Sequence, residues 1–283
     1  MKPKKSFGQN FLTSIPARNA IVAAGNIERG ETVLEIGPGR GFLTEGLLAS
    51  AANVIALEAD RDLIPILESK FNTGPPPQPS PLKGEGAIHL LNIDALKYDT
   101  TLIKGKYKLI ANIPYNITGA IIEKYLSAKH KPTSMIILVQ REVAERIVSR
   151  DGHESILSIA VAIYGEAKIV HKVSAGSFYP KPKVDSAVLA INNINNDFFN
   201  SFEACAEKIF FTILRGGFQY KRKYLINNLS EILVRENLIN DKLFIKDLLI
   251  KIFNDLNINE RERAENVKID KWKQLFSLIY AQL

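Results

Sequence analysis

The sequence predicts an α/β fold, a doubly wound and mostly parallel sheet joined to a smaller all-α C-terminal domain. Three observations carry that reading. Short apolar runs alternate with segments of helical period through the first two-thirds of the 283 residues. A glycine-rich turn directly follows one of the earliest of these runs. Beyond residue 192 only helical patterns occur. Strands separated by helices pair in parallel, because each crossover helix carries the chain back to the edge it started from.

Taken in order, strands are expected at residues 32–36, 53–57, 87–91, 108–111 and 134–139, each an apolar run bounded by turn or polar residues. Helices are expected between them at 42–50, 62–71, 118–126 and 141–149, where apolar residues recur at three-and-four spacing. Residues 167–173 and 186–191 are expected to close the sheet as an antiparallel pair at one edge. Asn192-Asn193-Ile194-Asn195-Asn196 reads as a polar hinge, which sets the domains at 1–191 and 192–283. The second should hold helices at 198–214, 221–235, 241–253 and 267–281. One stretch fits neither domain. Residues 74–86 contain five of the thirteen prolines and are expected to be a disordered insertion between a helix and the third strand.

Composition narrows the class. With 46% hydrophobic and 24% charged residues the chain can bury a core, which excludes wholesale disorder. Lys and Arg number 37 against 30 Asp and Glu, a net charge of +7 that favours an acidic partner such as nucleic acid. A single cysteine, Cys205, excludes a disulfide framework and a thiolate zinc cluster. His89, His130, His153 and His171 lie far apart without metal-ligand spacing, so no metal is expected. No apolar run approaches the roughly 20 residues of a membrane helix. The basic start, Met1 to Phe7, runs into Gly8-Gln9-Asn10 rather than an apolar signal core. A soluble cytoplasmic protein without a membrane partner is expected.

Val33-Leu34-Glu35-Ile36-Gly37-Pro38-Gly39-Arg40-Gly41 places the glycine turn between a strand and a helix. In an open α/β sheet ligands bind at the carboxyl ends of the strands, and glycine lets backbone approach them without a Cβ in the way. The dinucleotide fingerprint needs glycine at the sixth position counted from Gly37. That position is Phe42, so a nicotinamide oxidoreductase is disfavoured, and a purely structural tight turn is the plain alternative. Glu58 ends the next strand 21 positions after Gly37, where an acid accepts both hydroxyls of a ribose. Asp94 follows the third strand, near where an adenine would lie. A lone acid after a strand is usually a cap or turn residue; two at successive strand ends beside a glycine turn form a stronger pattern. This ordered set resembles the class I, Rossmann-like S-adenosylmethionine-dependent methyltransferases, which implies S-adenosyl-L-methionine as cofactor.

Leu109-Ile110-Ala111-Asn112-Ile113-Pro114-Tyr115 looks like the Asn-Pro-Pro-Tyr type motif of methyltransferases that act on an exocyclic base amine. The N6 lone pair of adenine is delocalised into the ring and attacks poorly. The Asn112 side-chain oxygen and the Ile113 carbonyl would take the two amine hydrogens and favour a pyramidal nitrogen. Pro114 would fix the turn, and Tyr115 would stack on an extruded base. A plain Asn-x-Pro turn with a buried tyrosine is the bland reading.

Lys5-Ser6-Phe7-Gly8-Gln9-Asn10-Phe11-Leu12 and Ser177-Phe178-Tyr179-Pro180-Lys181-Pro182-Lys183-Val184-Asp185-Ser186 complete the set. Together the motifs resemble the ribosomal RNA adenine N6,N6-dimethyltransferase family, in its small-subunit (16S) branch, over residues 5 to about 190. Gly8-Gln9-Asn10 and Lys183-Val184-Asp185-Ser186 favour that branch over the one that methylates large-subunit rRNA and confers antibiotic resistance. The resemblance implies dimethylation of two adjacent adenosines in a 3′-terminal hairpin during ribosome biogenesis, by a monomer acting on the immature small subunit. It implies cofactor contacts from Asn10, Leu12, Gly37, Glu58, Asp94 and Asn112, and a Phe178 ring against the target adenine beside Tyr115. A non-catalytic RNA-binding or transcription factor on the same fold is the rival from another class. Retention of Asn112, Pro114, Tyr115 and Phe178 argues against it. The chain departs from the family pattern at Tyr220, where a polar residue is common, and in its longer proline-rich insertion.

Two acid-free basic clusters stand next to these segments. Lys4 and Lys5 lie at the N-terminal end, and Lys221, Arg222 and Lys223 in the helical region. Most such clusters are solvated surface. Beside Phe and Tyr they suit phosphate contacts and stacking on irregular RNA, so they are candidate RNA-binding residues.

Overall fold

The structure, a computed structural model, describes residues 3–4, 8–72, 86–148, 152–239 and 241–283. Lys5 and residues 74–85 of the proline-rich stretch lie outside the described residues. The chain divides into two compact units, Met1–Glu145 with Gly165–Asn195, and Arg146–Tyr164 with Asn196–Leu283.

The first unit opens with β1 (Phe11–Leu12) and α1 (Ile15–Gly25). It continues through β2 (Thr32–Ile36), α2 (Phe42–Ala49), β3 (Asn53–Glu58), α3 (Ile64–Phe71), β4 (Ile88–Asn92), β5 (Tyr107–Asn112), α4 (Thr118–Leu126), β6 (Ser134–Gln140) and α5 (Arg141–Ile147). After α6 (Ile156–Tyr164), which belongs to the other unit, come β7 (Glu166–Val173), β8 (Phe178–Tyr179) and β9 (Ser186–Asn192). Seven strands form one sheet in the order β4-β3-β2-β5-β6-β9-β7. The five from β4 to β6 run parallel, and β9 pairs antiparallel with both β6 and β7. The doubly wound sheet with an antiparallel edge pair is as expected.

Both faces of the central strands are covered, which is why Val33, Leu34, Leu109, Ile110, Ile136 and Ile137 can all be fully buried in near-continuous apolar runs. On one face Val33, Val54, Ile110 and Ile136 pack with Ala17 and Ile21 of α1 and Leu43 and Leu47 of α2. Alternation along the strands sends Leu34, Leu109 and Ile137 to the other face. Ser14 caps α1, its Oγ accepting from Ala17 N at 3.4 Å. β1 and β8 form a separate antiparallel pair, Leu12 opposite Phe178 and Phe11 opposite Tyr179. Two-residue strands carry no period to read, so the pattern did not announce them.

The second unit holds α6, α7 (Ala206–Gly217), α8 (Leu225–Arg235), α9 (Lys242–Asp255) and α10 (Ile269–Tyr280). The division differs from the expected one at residue 192. It falls after Asn195, and residues 146–164 group with the helices although they lie within the α/β stretch of sequence. The reason is the α6 sequence, Ile-Leu-Ser-Ile-Ala-Val-Ala-Ile-Tyr, which is apolar nearly all round and must be enclosed rather than laid on a surface. Tyr164 anchors it, donating to Glu207 Oε1 at 2.5 Å and stacking on Phe211. α7 begins eight residues later than expected, because Phe198, Phe199 and Phe202 leave the helical path and cluster with Phe210 and Phe276 at centroid separations of 5.0–6.0 Å. Among the described residues no helix is long and apolar enough to cross a membrane, and no group of His, Cys, Asp and Glu could hold a metal ion.

Candidate active site

A pocket of about 1060 Å³, part of it open to solvent, lies at the carboxyl ends of β2, β3, β4 and β5. This is the switch point of the sheet, where β2 has β3 on one side and β5 on the other. Gly37 and Gly39 form the turn after β2 in the left-handed region, at φ 67° and 60°, which glycine alone adopts freely. A Cβ on Gly39 would meet the Phe11 ring at 3.0 Å.

Glu58 ends β3 with only 6% exposure. Its Oε2 accepts from Gly39 N at 3.0 Å and its Oε1 from Asp60 N at 2.8 Å. Burial raises its carboxyl above the ordinary range, and those N–H groups pull the other way. Each oxygen is aimed by one bond and keeps a lone pair for a ligand hydroxyl. Asp94 lines the same pocket while its Oδ1 accepts from Leu96 N at 2.9 Å, so it is a turn residue and a wall residue at once. Paired acids at successive strand ends and a Cβ-free turn suit a nucleoside with a small charged tail, which is the shape of S-adenosylmethionine.

The N-terminal segment forms one wall, through Gly8, Gln9, Asn10 and Phe11. Asn112, at the end of β5, donates through Nδ2 to the Asn10 carbonyl at 3.1 Å. That bond uses one of the two amide hydrogens and orients the amide of a residue that lines the pocket. Ile113, Pro114 and Tyr115 continue the wall. The Tyr115 hydroxyl is 2.7 Å from Ser186 Oγ, a fully buried group on β9, and burial raises the tyrosine pKa. Ser186 therefore sets the Tyr115 ring, a role visible only once β9 lies next to β6.

Three expected residues fall elsewhere. Leu12 does not line this pocket. Its side chain is 5% exposed in the core, and the residue borders an adjoining hollow. Phe178, expected against the target base, is likewise a core residue at 4% exposure. Alternation in β8 turns Phe178 inward and leaves Tyr179 as the exposed ring, at 59%. Lys4, an expected RNA contact, has its ammonium 2.6 Å from Asp60 Oδ1 and 2.6 Å from Asp62 Oδ2. Asp60, almost fully buried, also accepts from Gln9 Nε2 at 2.9 Å, so Lys4 and Gln9 moor the N-terminal segment beside Glu58. In the second unit Lys221 and Arg222 are exposed ahead of α8, whereas Lys223 sits over the Tyr220 ring and pairs with Glu231 at 3.1 Å.

Two outcomes are expected from this geometry. Glu58→Ala removes a carboxylate placed for charge-assisted bonds, so cofactor affinity should fall by about 2 kcal/mol in calorimetry; unchanged affinity would remove Glu58 from the site. Glu35, beneath the glycine turn on β2, is 1% exposed. Its Oε2 accepts from Thr44 Oγ1 at 2.7 Å, and its Oε1 has no hydrogen-bond partner among the described residues. Burial pushes its carboxyl from 4.5 up to about 8. Below the lower value both folded and unfolded chains are protonated, and between the two only the unfolded chain readily ionises. Stability should therefore fall as pH rises through that window, by up to about 1.4 kcal/mol per unit. Denaturant melts from pH 5 to 8.5 should show this slope flattened in Glu35→Gln; parallel curves would contradict it.

Comparison with known proteins bears on this site. The family model "Ribosomal RNA adenine dimethylase" matches residues 1–279. A Dehalococcoides mccartyi protein named Ribosomal RNA small subunit methyltransferase A is 37% identical over 278 residues, covering 97% of this chain and 88% of the relative. A Fusobacterium nucleatum protein of the same name is 35% identical over 280 residues, covering 98% and 97%. Among solved structures, a dimethyladenosine transferase from Plasmodium falciparum superimposes with a TM-score of 0.74 at 24% identity, over 94% of this chain and 95% of that one. The 23S rRNA methyltransferase ErmE does so with a TM-score of 0.70 at 23% identity, over 96% and 100%. At those identities the superpositions establish the fold.

Proposed function

The chain belongs to the ribosomal RNA adenine dimethylase family, and on that premise we propose that it dimethylates N6 of two adjacent adenosines in the 3′-terminal hairpin of small-subunit rRNA. The cofactor is S-adenosylmethionine, and the partner is the immature small ribosomal subunit, met in the cytoplasm by a monomeric enzyme. The observation that carries this reading is the Asn112 side chain. With its amide oriented by the bond to the Asn10 carbonyl, it offers the amine an oxygen acceptor.

Glu58 would hold the cofactor ribose and Asp94 its adenine, with Asn10, Gly37 and Asn112 along the remainder. Leu12, with its side chain in the core and outside the lining of this pocket, is assigned no contact with the cofactor. When bound, the cofactor supplies a sulfonium-activated methyl group, so alignment is the main task left to the protein. Asn112 Oδ1 and the Ile113 carbonyl take the two N6 hydrogens and tilt the lone pair out of the ring plane. Tyr115, held by Ser186, supplies the stacking face. In each transfer N6 would form a bond to the methyl carbon as the sulfur–methyl bond breaks, the electron pair staying on the now neutral sulfur of the departing thioether, and one N6 proton would pass to solvent. After the first, one N–H still engages an acceptor and stacking retains the base. After the second none is left, both acceptors go unsatisfied at about 1–3 kcal/mol each, and the base departs. Lys221 and Arg222 are surface cations suited to RNA phosphates.

Incubation with labelled S-adenosylmethionine and separated immature ribosomal subunits tests the proposal. Label should enter small-subunit RNA. Label confined to large-subunit RNA would point to the resistance-type activity, and cofactor binding without transfer to any RNA would indicate a binding factor.

A further inference from the structure

The turn that follows β4 supplies Asp94, Ala95 and Leu96 to one wall of the cofactor pocket. Tyr125, in the last turn of α4, meets this turn from the core, its hydroxyl donating to the Ala95 carbonyl at 3.1 Å. We propose that Tyr125 is a positioning residue for cofactor recognition, which sets the Asp94 carboxylate that would read the adenine amine. This rests on the cofactor reading above and adds the group that holds its adenine end in register.

One peptide unit links the two residues. The Ala95 carbonyl and the Leu96 N–H belong to the same planar trans unit, so they point in opposite directions. The carbonyl takes the Tyr125 hydroxyl, and the N–H donates to Asp94 Oδ1 at 2.9 Å. The Lys97 N–H closes the turn on the Asp94 carbonyl at 2.8 Å. Rotating the unit would break the bond to Tyr125 and the bond to Asp94 together. The hydroxyl therefore fixes the peptide plane, and the peptide plane fixes the carboxylate.

Tyr125 is itself firmly held. With Ile121, Ile122 and Leu126 it forms the buried face of α4, and it is fully enclosed. Burial raises its phenol above the ordinary range, with Tyr107, Tyr98 and Asp94 adding to the effect, so the hydroxyl keeps its proton and remains a donor. Phenylalanine would fill nearly the same space, and a buried hydroxyl is costly without a partner, so the oxygen marks the Ala95 contact rather than packing. α4 also begins shortly after Tyr115, so one helix ties the amine-binding motif to the adenine wall.

Calorimetry with two ligands tests the assignment. One is S-adenosylhomocysteine, the product left when the methyl group is gone; the other is its inosine counterpart, with a carbonyl in place of the adenine amine. They would be titrated into the full chain and its Tyr125→Phe, Tyr107→Phe and Asp94→Ala variants. The wild type should prefer the adenine compound by at least about tenfold, since a carboxylate facing a carbonyl loses a charge-assisted bond. Tyr125→Phe should weaken the adenine compound about fivefold and leave the inosine compound within about twofold, which shrinks the preference. Tyr107→Phe is the control. Its hydroxyl belongs to an equally buried residue and also donates to a main-chain carbonyl, that of His130 at 3.0 Å, but His130 stands outside the pocket lining. It should keep the full preference. Added to Asp94→Ala, Tyr125→Phe should change affinity by less than about twofold. A Tyr125→Phe protein that keeps the wild-type preference, or loses affinity for both compounds equally, would overturn the positioning role while leaving the methyltransferase reading intact. A wild type that binds both compounds alike would do the same. A wild type that binds neither would overturn both.

Discussion

Asn112→Ala should lower the rate of methyl transfer by about two to three orders of magnitude, the cost of deleting one preorganised polar group from a reacting centre. The residue does two things through two atoms. On the proposed function its oxygen takes an amine hydrogen, while its nitrogen donates to the Asn10 carbonyl in the N-terminal wall of the pocket. A neutral hydrogen bond of about 1 kcal/mol is lost with the second role, so cofactor affinity should weaken only about fivefold. Single-turnover rates and calorimetry separate the two effects. Near-normal turnover at saturating cofactor would show that Asn112 merely fastens the wall.

Phe178→Ala should act on stability rather than on product distribution. The ring is buried against Leu12, Val173 and Val188 in the core, and removing a buried phenyl group costs about 3–5 kcal/mol. Denaturant melts should register that loss, and what folded enzyme is left should give dimethylated product without build-up of the monomethyl base. Tyr115→Ala should do the opposite. It trims a half-buried ring of the pocket wall, so it should cost less stability and let N6-monomethyladenosine accumulate, since stacking of about 1–3 kcal/mol holds the base once one hydrogen bond is gone. A stable Phe178→Ala protein that accumulates the monomethyl base would mean that this ring leaves the core to meet the substrate.

Reading such a chain from its residues succeeds where a signal is local. Each strand of the parallel sheet is a self-contained apolar run, and Gly37, Glu58, Asp94 and Asn112 each stand at the end of one, so strand order alone brings them to one rim. What escapes is held by partners distant in sequence. Ser186 reaches Tyr115 across 71 positions, and Asp60 gathers Lys4 and Gln9 across 56 and 51. Neither serine nor aspartate has a pattern that names such a partner. Family resemblance points to Leu12 and Phe178 as site residues, but their pairing across β1 and β8 turns both side chains into the core. α6 escaped for another reason. It occupies the position of a crossover helix in the chain, yet its lack of a polar face sends it to the helical unit.

The most direct test of the account is a time course of nucleosides, mapped by mass spectrometry, from small-subunit RNA treated with this protein and S-adenosylmethionine. The account predicts methylation at N6 of two adjacent adenosines. The monomethyl form should appear transiently, the dimethyl form should be the end point at both, and no other base should be modified. Methylation at a ring nitrogen or a ribose, or a reaction that halts at one methyl group, would contradict the claim that Asn112 and Ile113 grip an exocyclic amine and release it only when its last hydrogen is gone.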